Sequence, residues 1–299
     1  MTERKNKGTD ERIFNIIGYV VMSVAAFMAL VPFYLIVVGS FTSDRAIITK
    51  GYGILPQIGS FSVEGYKTVF EDPMSIVRCY AVTTTVTIIG TFLAIVLSTM
   101  TGYVLSRQDF EARNKVSFFF FFTTLFNGGL VPWYLLCTNL LHFSNHLYAM
   151  ILPGIFSVWN MIIANSFMKG IPYELVEAAK VDGAGDFRIY YQIMLPMTKP
   201  LIATIGLFIA LSYWNDWYNC MLFIKDYRLY SLQYTLQSIL NSSEALKRIA
   251  EMTGQQAAAL PTESTKMAMT IVTTGPIVLL YPFLQKYFVK GLTIGAVKG

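Results

Sequence analysis

The chain has 299 residues and a net charge of +5, with 54% hydrophobic and only 14% charged residues. Because ordinary soluble domains carry about 25% charged residues, this composition and a mean hydropathy of +0.50 exclude an ordinary soluble domain and indicate a membrane-embedded protein. In such a protein the positive charge is typical of cytoplasmic loops, so we expect no nucleic acid among its partners.

Apolar runs along the chain predict six transmembrane helices. About 20 residues cross the hydrocarbon core, and six runs have about that length or more: 13–38, 80–106, 116–137, 147–167, 201–223 and 268–284. Pro32 could kink the first helix, whereas Gly275, Pro276 and Pro282 predict a broken or kinked sixth helix. The first run is too long for a signal peptide and no small-residue cleavage site follows it, so we expect no cleavable signal peptide.

The distribution of Lys and Arg predicts the orientation of these helices. Fourteen of the 23 basic residues lie within 68 residues that alternate along the chain, namely 1–12, 107–115, 168–199 and 285–299. The other nine lie within the 95 residues of the opposite loops, which are 39–79, 138–146 and 223–267. Because cytoplasmic loops are enriched in Lys and Arg, we expect both termini and the 168–199 loop to be cytoplasmic.

Two of the outer loops are long enough to hold helices of their own. In the first loop, a short helix is predicted around residues 63–70. In the last loop, Ser242 to Gln256 predict an amphipathic helix with one face formed by Leu246, Ile249, Ala250 and Thr253. This segment could cap the helix bundle or meet a protein that delivers substrate, and a plain surface loop is the alternative.

The cysteine and histidine residues do not predict a metal centre. Cys79, Cys137 and Cys220 are isolated along the chain, so we expect small packing residues rather than metal ligands or disulfides. His142 and His146 are four residues apart and could share a helix face, but no third ligand lies near them in sequence. The H-E-x-x-H signature is also absent, so a zinc enzyme is not expected.

The polar interval 171–200 between the fourth and fifth apolar runs predicts two short helices. Pro172 suits the start of the first helix, and Gly183 suits a left-handed cap at its end. Asp186 is a natural N-cap for the second helix, and Pro196 is expected to stop it. One apolar stripe of this second helix is formed by Phe187, Tyr190, Tyr191 and Met194. Such a face must pack on lipid, on the protein's own helices or on another protein.

The same interval carries a spaced motif. Glu177-Ala178-Ala179 is followed after three residues by Gly183, after nine more by Ile193, and then by Leu195-Pro196. This pattern resembles the EAA signature of ABC importer permeases of the maltodextrin-permease type, in which the loop is a coupling helix that docks on the ATPase subunit. The resemblance implies coupling roles for Glu177, Ala178, Ala179, Asp182, Gly183, Leu195 and Pro196. From the residues alone, a helix lying on the membrane surface is the alternative.

The fifth apolar run mixes aromatic and hydrogen-bonding side chains. Tyr213 and Asp216 are one helical turn apart and could share a face. Such a face could stack on a sugar ring and bond its hydroxyl groups. The candidates for the substrate path are Tyr213, Trp214, Asn215, Asp216, Trp217 and Asn219. Polar residues in membrane spans also hydrogen-bond neighbouring helices, so a structural role is the alternative.

The source of energy for transport is not evident within this chain. The sequence has no G-x-x-x-x-G-K-[ST] motif, so ATP would have to bind a partner. Ion coupling would need ionisable residues within the spans, and Asp216 is the one clear example. An ion-coupled secondary transporter using Asp216 is therefore the main alternative to an externally driven permease. A membrane enzyme and a partner subunit without a transport path are weaker alternatives, since no catalytic constellation is evident.

The last ten residues, 290–299, contain three glycines, so we expect a solvated terminus rather than a helix. They are similar to the GLT-GAVKG terminus of maltodextrin-type permeases. That similarity implies contact with the ATPase dimer by Gly295, Ala296, Val297, Lys298 and Gly299. The Gly128-Gly129 pair and the long 223–267 loop look most like the oligosaccharide permeases that work with lipoprotein binding proteins.

Taken over the whole chain, the resemblance implies a bacterial multi-pass protein of the cell membrane with the type I ABC importer permease fold, all-α with six transmembrane helices. The expected organisation is a cytoplasmic segment 1–12, a permease domain 13–288 that includes the coupling loop 168–199, and a cytoplasmic tail 289–299. The implied partners are an ABC ATPase dimer, a second homologous permease in a heterodimer, an extracytoplasmic sugar-binding lipoprotein and membrane lipid. No cofactor is expected on this chain, since ATP and Mg²⁺ would bind the ATPase.

Overall fold

The computed structural model describes residues 9–55, 59–253 and 262–296, and these residues form helices without a β-strand. The all-helical prediction is therefore confirmed. The helices are α1 Thr9–Ser40, α2 Asp44–Lys50, α3 Glu64–Val69, α4 Pro73–Ser106, α5 Arg113–Thr123, α6 Leu130–Leu135, α7 Tyr148–Ile151, α8 Val158–Lys169, α9 Glu174–Val181, α10 Asp186–Ile189, α11 Leu195–Met197, α12 Lys199–Trp214, α13 Tyr218–Phe223, α14 Leu232–Thr253 and α15 Glu263–Ala296. Single π-helical turns lie at Leu136–Leu140 and Tyr190–Met194, and 3-10 turns at Leu152–Gly154 and Tyr227–Leu229.

The first two apolar runs form long uninterrupted helices. α1 has 32 residues and continues through Pro32, while α4 has 34 residues. α4 begins before its apolar run, because Pro73 suits the first helical turn. The Asp72 carboxylate also accepts a hydrogen bond from the Ser75 N–H at 3.2 Å, which caps this helix start.

The third, fourth and fifth runs are each interrupted. The third run divides into α5 and α6, where Gly129 has a φ of +86°, a conformation that favours glycine. In the fourth run, α7 and the 3-10 turn that follows it form the segment Tyr148–Gly154, which is bent by 50° from α8. The fifth run divides between α12 and α13, so residues 215–217 lie in a break rather than inside a helix. These breaks follow from backbone conformations that hydropathy alone does not encode.

The sixth run and the tail also differ from the predictions. α15 is one helix through Gly275, Pro276 and Pro282, so the predicted break is wrong, whereas the alternative of a kink stays a prediction. The helix also includes Gly291 and Gly295, so the expectation of a non-helical tail is wrong as far as residue 296. Proline and glycine are tolerated in membrane helices because neighbouring groups satisfy the freed backbone atoms. Residues 297–299 lie outside the described part of the chain.

Two of the described helices are each long and apolar enough to cross a membrane, Glu11–Ser40 and Pro73–Ser106. The number rises to four if each of two bent pairs is one crossing: Tyr148–Gly154 with Val158–Lys169, and Asp186–Met197 with Lys199–Trp214. Six crossings with both termini on the cytoplasmic side stay a prediction.

The structure divides into two compact parts, and the first contains the described residues within 1–71 and 239–272. In this part the Asp44 carboxylate accepts hydrogen bonds from the Ser264 N–H at 2.9 Å and the Ser264 hydroxyl at 3.0 Å. A Cβ atom at Gly65 would lie 2.6 Å from the Ser264 carbonyl oxygen. The starts of α2, α3 and α15 are therefore held closely together.

The two helices predicted in the outer loops are present. α3 confirms the short helix expected around residues 63–70. α14 contains residues 242–253 of the predicted amphipathic helix and begins ten residues earlier. Residues 254–256 lie outside the described chain. The proposed face at Leu246, Ile249, Ala250 and Thr253 lies outside the residues whose side chains are described.

The second compact part contains the described residues within 72–238 and 273–299. Its core joins α4 to α8 and α12 through buried residues that include Val86, Ala94, Ala164, Ile205 and Ile209. A Cβ atom at Gly102 would lie 2.7 Å from the Ala164 Cβ atom, so α4 and α8 approach closely there, as small residues permit in membrane helices. Cys79, Cys137 and Cys220 are free and buried, as predicted.

Candidate functional site

The end of α9 has the geometry that the sequence predicts. The Ala184 N–H donates to the Ala179 carbonyl at 2.9 Å, and the Gly183 N–H donates to the Lys180 carbonyl at 3.0 Å. Gly183 has a φ of +76°. Together these bonds form the Schellman motif, which satisfies the last carbonyls of a helix. No neighbouring atom lies within 4 Å of a Cβ placed on Gly183, so the requirement for glycine is conformational and not steric.

α9 has one buried face and one exposed face. Val176 and Ala179 are buried in a cluster of apolar side chains beneath the helix. Glu177, Ala178 and Asp182 are exposed. Ala179 therefore serves packing, whereas Glu177, Ala178 and Asp182 are free to meet another surface.

The second helix of this segment begins and ends differently from the predictions. Gly185 is the N-cap, whereas Asp186 is the first residue of α10. The prediction that Asp186 caps the helix is wrong because its carboxylate instead accepts a hydrogen bond from Arg107. The helical turns continue through Pro196 to Met197, so Pro196 does not stop them. Leu195 is half-buried and Pro196 is exposed.

The apolar stripe predicted for this second helix is not a single buried face. Tyr190 and Met194 are buried, but Phe187 is 71% exposed and Tyr191 is 62% exposed. The Tyr190–Met194 turn is π-helical, and a π-turn changes which residues lie above one another. Two large aromatic side chains consequently remain on the surface of a polar segment.

A buried arginine joins this segment to the end of α4. The Arg107 side chain is 8% exposed and binds Asp109 through two bonds, Nε to Oδ1 at 2.7 Å and Nη2 to Oδ2 at 2.5 Å. Arg107 Nη1 donates to the Tyr103 hydroxyl at 2.7 Å and to Asp186 Oδ1 at 2.5 Å. Lys180 of α9 forms an ion pair with the same Asp109. This group, called here the Arg107 network, ties α9 and α10 to α4.

The pKa values within the Arg107 network shift in the directions that ion pairing requires. Hydrogen bonds from Arg107 and then from Lys180 hold the pKa of Asp109 well below its usual range. The bonds to Asp109 raise the pKa of Arg107 further above its ordinary value, against the opposing effect of burial. The hydrogen bond to Asp109 likewise raises the pKa of Lys180. All three groups are therefore charged near neutral pH.

An uncharged contact reinforces this connection. The Tyr190 hydroxyl lies 2.9 Å from the Thr99 hydroxyl oxygen on α4, and the Tyr103 and Tyr190 ring centroids are 5.5 Å apart. Because hydroxyl pairs and aromatic pairs both fix orientation, these contacts hold Tyr190 against α4.

A second candidate site is a cavity of about 540 Å³ among α8, α12 and the break that follows α12. Three of the candidates from the sequence line it, namely Tyr213, Asp216 and Asn219. The others, Trp214, Asn215 and Trp217, are not among its lining residues. Five further polar or aromatic residues of the lining were not among the candidates predicted from the sequence: Phe156, Ser157, Asn160, Phe208 and Ser212. Aromatic faces beside amide and hydroxyl groups are suited to a polar ligand with apolar C–H surfaces.

The predicted shared helix face of Tyr213 and Asp216 is wrong because α12 ends at Trp214. Asp216 instead accepts hydrogen bonds from the Asn219 N–H at 3.0 Å and the Asn219 side-chain amide at 2.7 Å. The Tyr213 hydroxyl donates to the Ile151 carbonyl at 2.7 Å. Both side chains therefore have structural partners while they line the cavity.

The remaining candidates of the fifth run have structural partners. Trp214 is buried and its indole N–H donates to the Thr273 carbonyl at 3.2 Å. The Asn215 side-chain amide donates to the Leu211 carbonyl at 2.9 Å. The Trp217 ring meets the Tyr218 ring edge-on, with centroids 5.7 Å apart. These contacts agree with the structural alternative for these three residues.

The remaining candidates from the sequence are the C-terminal tail and the two histidines. Gly295 and Ala296 lie in α15, whereas Val297, Lys298 and Gly299 lie outside the described residues. His142 has a φ of +52° and His146 Nδ1 lies 2.7 Å from the Ser144 carbonyl oxygen, so the two do not form a helical pair. Within residues 9–55, 59–253 and 262–296, no three His, Cys, Asp or Glu side chains are grouped to hold a metal ion.

The Arg107 network was not predicted from the sequence, since Arg107 and Asp186 are 79 residues apart. The one available signal was the charge pattern Arg107-Gln108-Asp109 directly after a long apolar run. An arginine at a helix end with an acidic neighbour two residues away often forms only a local, solvent-exposed ion pair. Its role here depends on tertiary contacts.

This chain is similar to known transport proteins over nearly its whole length. Residues 98–294 match the family described as binding-protein-dependent transport system inner membrane component. The polygalacturonan/rhamnogalacturonan transport system permease protein YtcP of Bacillus subtilis (strain 168) is 35% identical over 289 residues, which cover 96% of this chain and 99% of that protein. Protein LplC of the same organism is 33% identical over 290 residues, covering 96% of each chain.

A solved structure is similar over the same length. It is a chain in the crystal structure of a bacterial ABC transporter involved in the import of the acidic polysaccharide alginate. The TM-score is 0.79 at 26% identity, with 95% of this chain and 99% of that chain covered. The similarity therefore extends to the fold as a whole and not only to the motif around α9.

Proposed function

Because this chain belongs to the family of binding-protein-dependent transport system inner membrane components, we propose that it is the membrane-spanning permease of an ATP-driven carbohydrate importer, with an oligosaccharide as substrate. The observation that carries the proposal is α9, which is closed by Gly183 and has one exposed face, while its other face is buried in the cluster that includes Tyr103 of α4. YtcP is named for polygalacturonan and rhamnogalacturonan, and the structural neighbour serves alginate import. A carbohydrate substrate is the common element of these relatives.

α9 is the proposed coupling helix. Its exposed face, with Glu177, Ala178 and Asp182, docks on an ABC ATPase subunit, which binds ATP and Mg²⁺. Closure of the ATPase dimer displaces α9, and the Arg107 network passes the displacement to α4. The bundle then alternates between inward and outward opening, a rigid-element movement of the kind common in transporters.

The cavity around Tyr213 is the proposed share of this chain in the translocation path. A second homologous permease forms the other wall, and an extracytoplasmic sugar-binding lipoprotein delivers the substrate. Phe156 and Phe208 offer apolar faces, whereas Asn160 and Ser212 offer hydrogen bonds. This combination is suited to a sugar, which has both kinds of surface.

The proposal is tested by purifying the tagged full-length chain from its native membrane and by measuring uptake in vesicles. We expect an ATPase and a second permease to co-purify, and uptake of an oligosaccharide to depend on ATP. Recovery of the chain alone, with uptake driven by a proton or sodium gradient, would replace the proposal with the secondary transporter that uses Asp216.

A charge reversal on α9 tests the coupling role directly. Glu177→Lys should abolish ATP-driven uptake by placing a positive charge on the docking face, while the chain stays in the membrane. The matched control is Glu174→Lys, since Glu174 is also exposed and lies one turn earlier on the same helix. Normal uptake by the Glu177 variant, or equal loss in both variants, contradicts a docking role specific to Glu177.

A further inference from the structure

A basic cavity of about 410 Å³ lies on the buried side of α9, separate from the exposed docking face. The end of α4, the start of α5, the end of α8 and the residues that precede and begin α9 form its walls. Arg113 and Lys169 are among its lining residues, with the hydroxyl or amide groups of Ser106, Gln108, Asn114 and Tyr173. The lining contains no Asp or Glu residue. The cavity is therefore rich in hydrogen-bond donors and positively charged.

Three cations line this cavity, and the charges of Arg113 and Lys169 differ from that of Arg107 in having no acidic partner within the described part of the chain. The charge of Arg107 is offset by Asp109 and Asp186. Arg113 donates to the Arg107 carbonyl oxygen at 3.0 Å, which orients its guanidinium group without neutralising it. Among the described residues, neither Arg113 nor Lys169 forms an ion pair. Two positive charges thus remain for a ligand.

We propose that this cavity binds a phosphate-bearing anion, and that the source is the headgroup of an anionic phospholipid. A guanidinium group and an ammonium group together suit phosphate oxygen atoms, and uncharged amide and hydroxyl donors can complete the hydrogen bonding. The cavity lies where α4 and α8 end, beside the apolar segments that they form, which is where lipid headgroups are found. Basic pockets between membrane helices recognise such headgroups. A free phosphate ion has the same chemistry and is the second source to be tested.

Occupation of the cavity would affect α9, because Tyr173 and Val176 form part of its wall. A bound headgroup would link α9 to α4, α5 and α8 through one ligand. Anionic lipid would therefore stabilise the attachment of this helix to the bundle. This consequence follows from the position of the wall residues and does not depend on the identity of the transported substrate.

The test measures lipid binding by the purified, delipidated full-length chain with native mass spectrometry. Phosphatidylglycerol should bind more tightly than phosphatidylcholine of the same acyl chains. Arg113→Gln and Lys169→Gln should each weaken the binding of phosphatidylglycerol about fivefold, since each basic residue near a membrane surface contributes about that factor. Lys115→Gln is the matched control, because Lys115 is exposed on α5 and does not line the cavity.

Further measurements separate the charge from the fold and the two sources from each other. Arg113→Lys should retain binding, because it keeps the positive charge. Lys169→Gln replaces an exposed side chain, so the midpoint of thermal unfolding of this variant should not change. If inorganic phosphate fails to compete with phosphatidylglycerol, the lipid source is supported. If inorganic phosphate displaces phosphatidylglycerol from the protein, the lipid source is overturned in favour of a soluble anion. Equal binding of both lipids, or an equal loss in the Lys115 control, would overturn the site itself.

Discussion

Gly183 and Gly185 are two residues apart, and a Cβ atom on either would meet no neighbouring atom within 4 Å. Their backbones differ, since the φ angle is +76° at Gly183 and −72° at Gly185. The left-handed conformation costs a residue with a Cβ about 1 to 2 kcal/mol, whereas the conformation of Gly185 is open to any residue. The two positions therefore separate a backbone requirement from a requirement for space.

The same substitution at both positions tests this distinction. Gly183→Ser should lower the free energy of unfolding by about 1 kcal/mol and weaken ATP-driven uptake, because the Schellman motif that ends α9 is strained. Gly185→Ser should be neutral or slightly stabilising, because serine is a favourable N-cap for α10. Thermal unfolding in detergent and uptake in vesicles measure the two effects. Equal behaviour of the variants would show that the left-handed cap has no special role.

The Arg107 network predicts a characteristic dependence of stability on pH. Its contribution through Asp109 is present above the ordinary aspartate pKa of about 3.9 and is lost as the pH falls towards the lowered pKa in the folded protein. The contribution through Lys180 is present below the ordinary lysine pKa of about 10.4 and is lost as the pH rises through its raised value. Between these limits the contribution should be constant.

Asp109→Asn measures the acid limb of this dependence. At pH 7 the variant should be less stable by about 1 kcal/mol, a modest value because the Asp109 side chain is 41% exposed and solvent screens the pair. The difference from the unaltered protein should be constant from about pH 5 to pH 9 and should shrink below about pH 4. Thermal unfolding over this range provides the measurement. A difference that grows on acidification contradicts the sign of the shift.

At the scale of the element, α9 combines a packing role and an exposed role on adjacent residues. Ala179 is 7% exposed and belongs to the cluster with Met168 and Ile189, whereas Ala178 is exposed. The two alanines are chemically identical and have the same helix propensity. Any difference between matched substitutions must therefore come from what each side chain faces.

Enlarging each alanine to leucine separates these roles. Ala179→Leu should destabilise the protein by about 1 to 3 kcal/mol, because a well-packed cluster resists added volume. Ala178→Leu should leave the unfolding midpoint unchanged but reduce recovery of the ATPase in co-purification, because it blocks close approach to the helix. Loss of ATPase recovery in the Ala179 variant alone would assign the effect to folding and would contradict the proposed docking face.

Local sequence signals predicted some of these elements and not others. Gly183 was identified because a single left-handed residue at a helix end depends only on neighbours in sequence. Pro196, Pro276 and Pro282 were misjudged as helix stops or breaks, since the consequence of a proline depends on surrounding groups. The breaks at residues 124–129 and 215–217 were missed because each lies inside a run that is apolar when averaged over its whole length, although the breaks themselves contain polar residues or glycine. The pairing of Arg107 with Asp186 depends on tertiary contacts that periodicity does not reveal.

At the scale of the whole molecule, composition and basic-residue counts predict membrane insertion and orientation, but they do not define which helices form each crossing. The structure contains two complete helices of sufficient length and two bent pairs among its described residues. Whether the bent pair Tyr148–Gly154 and Val158–Lys169 forms one crossing is therefore a direct question for the six-crossing topology. The side on which each loop lies answers it directly.

Labelling of introduced cysteines with a membrane-impermeant maleimide tests this topology. The native cysteines do not interfere, because Cys79, Cys137 and Cys220 are 3%, 0% and 0% exposed. Ala178→Cys should react only from the cytoplasmic side, whereas Asn139→Cys, in the short loop after the third run, should react only from the outside. Both positions are exposed. Since the chain between them contains a single predicted crossing, reaction from the same side would remove that crossing. Reaction of Ala178→Cys from the outside would place α9 beyond the reach of a cytoplasmic ATPase and contradict the proposed coupling.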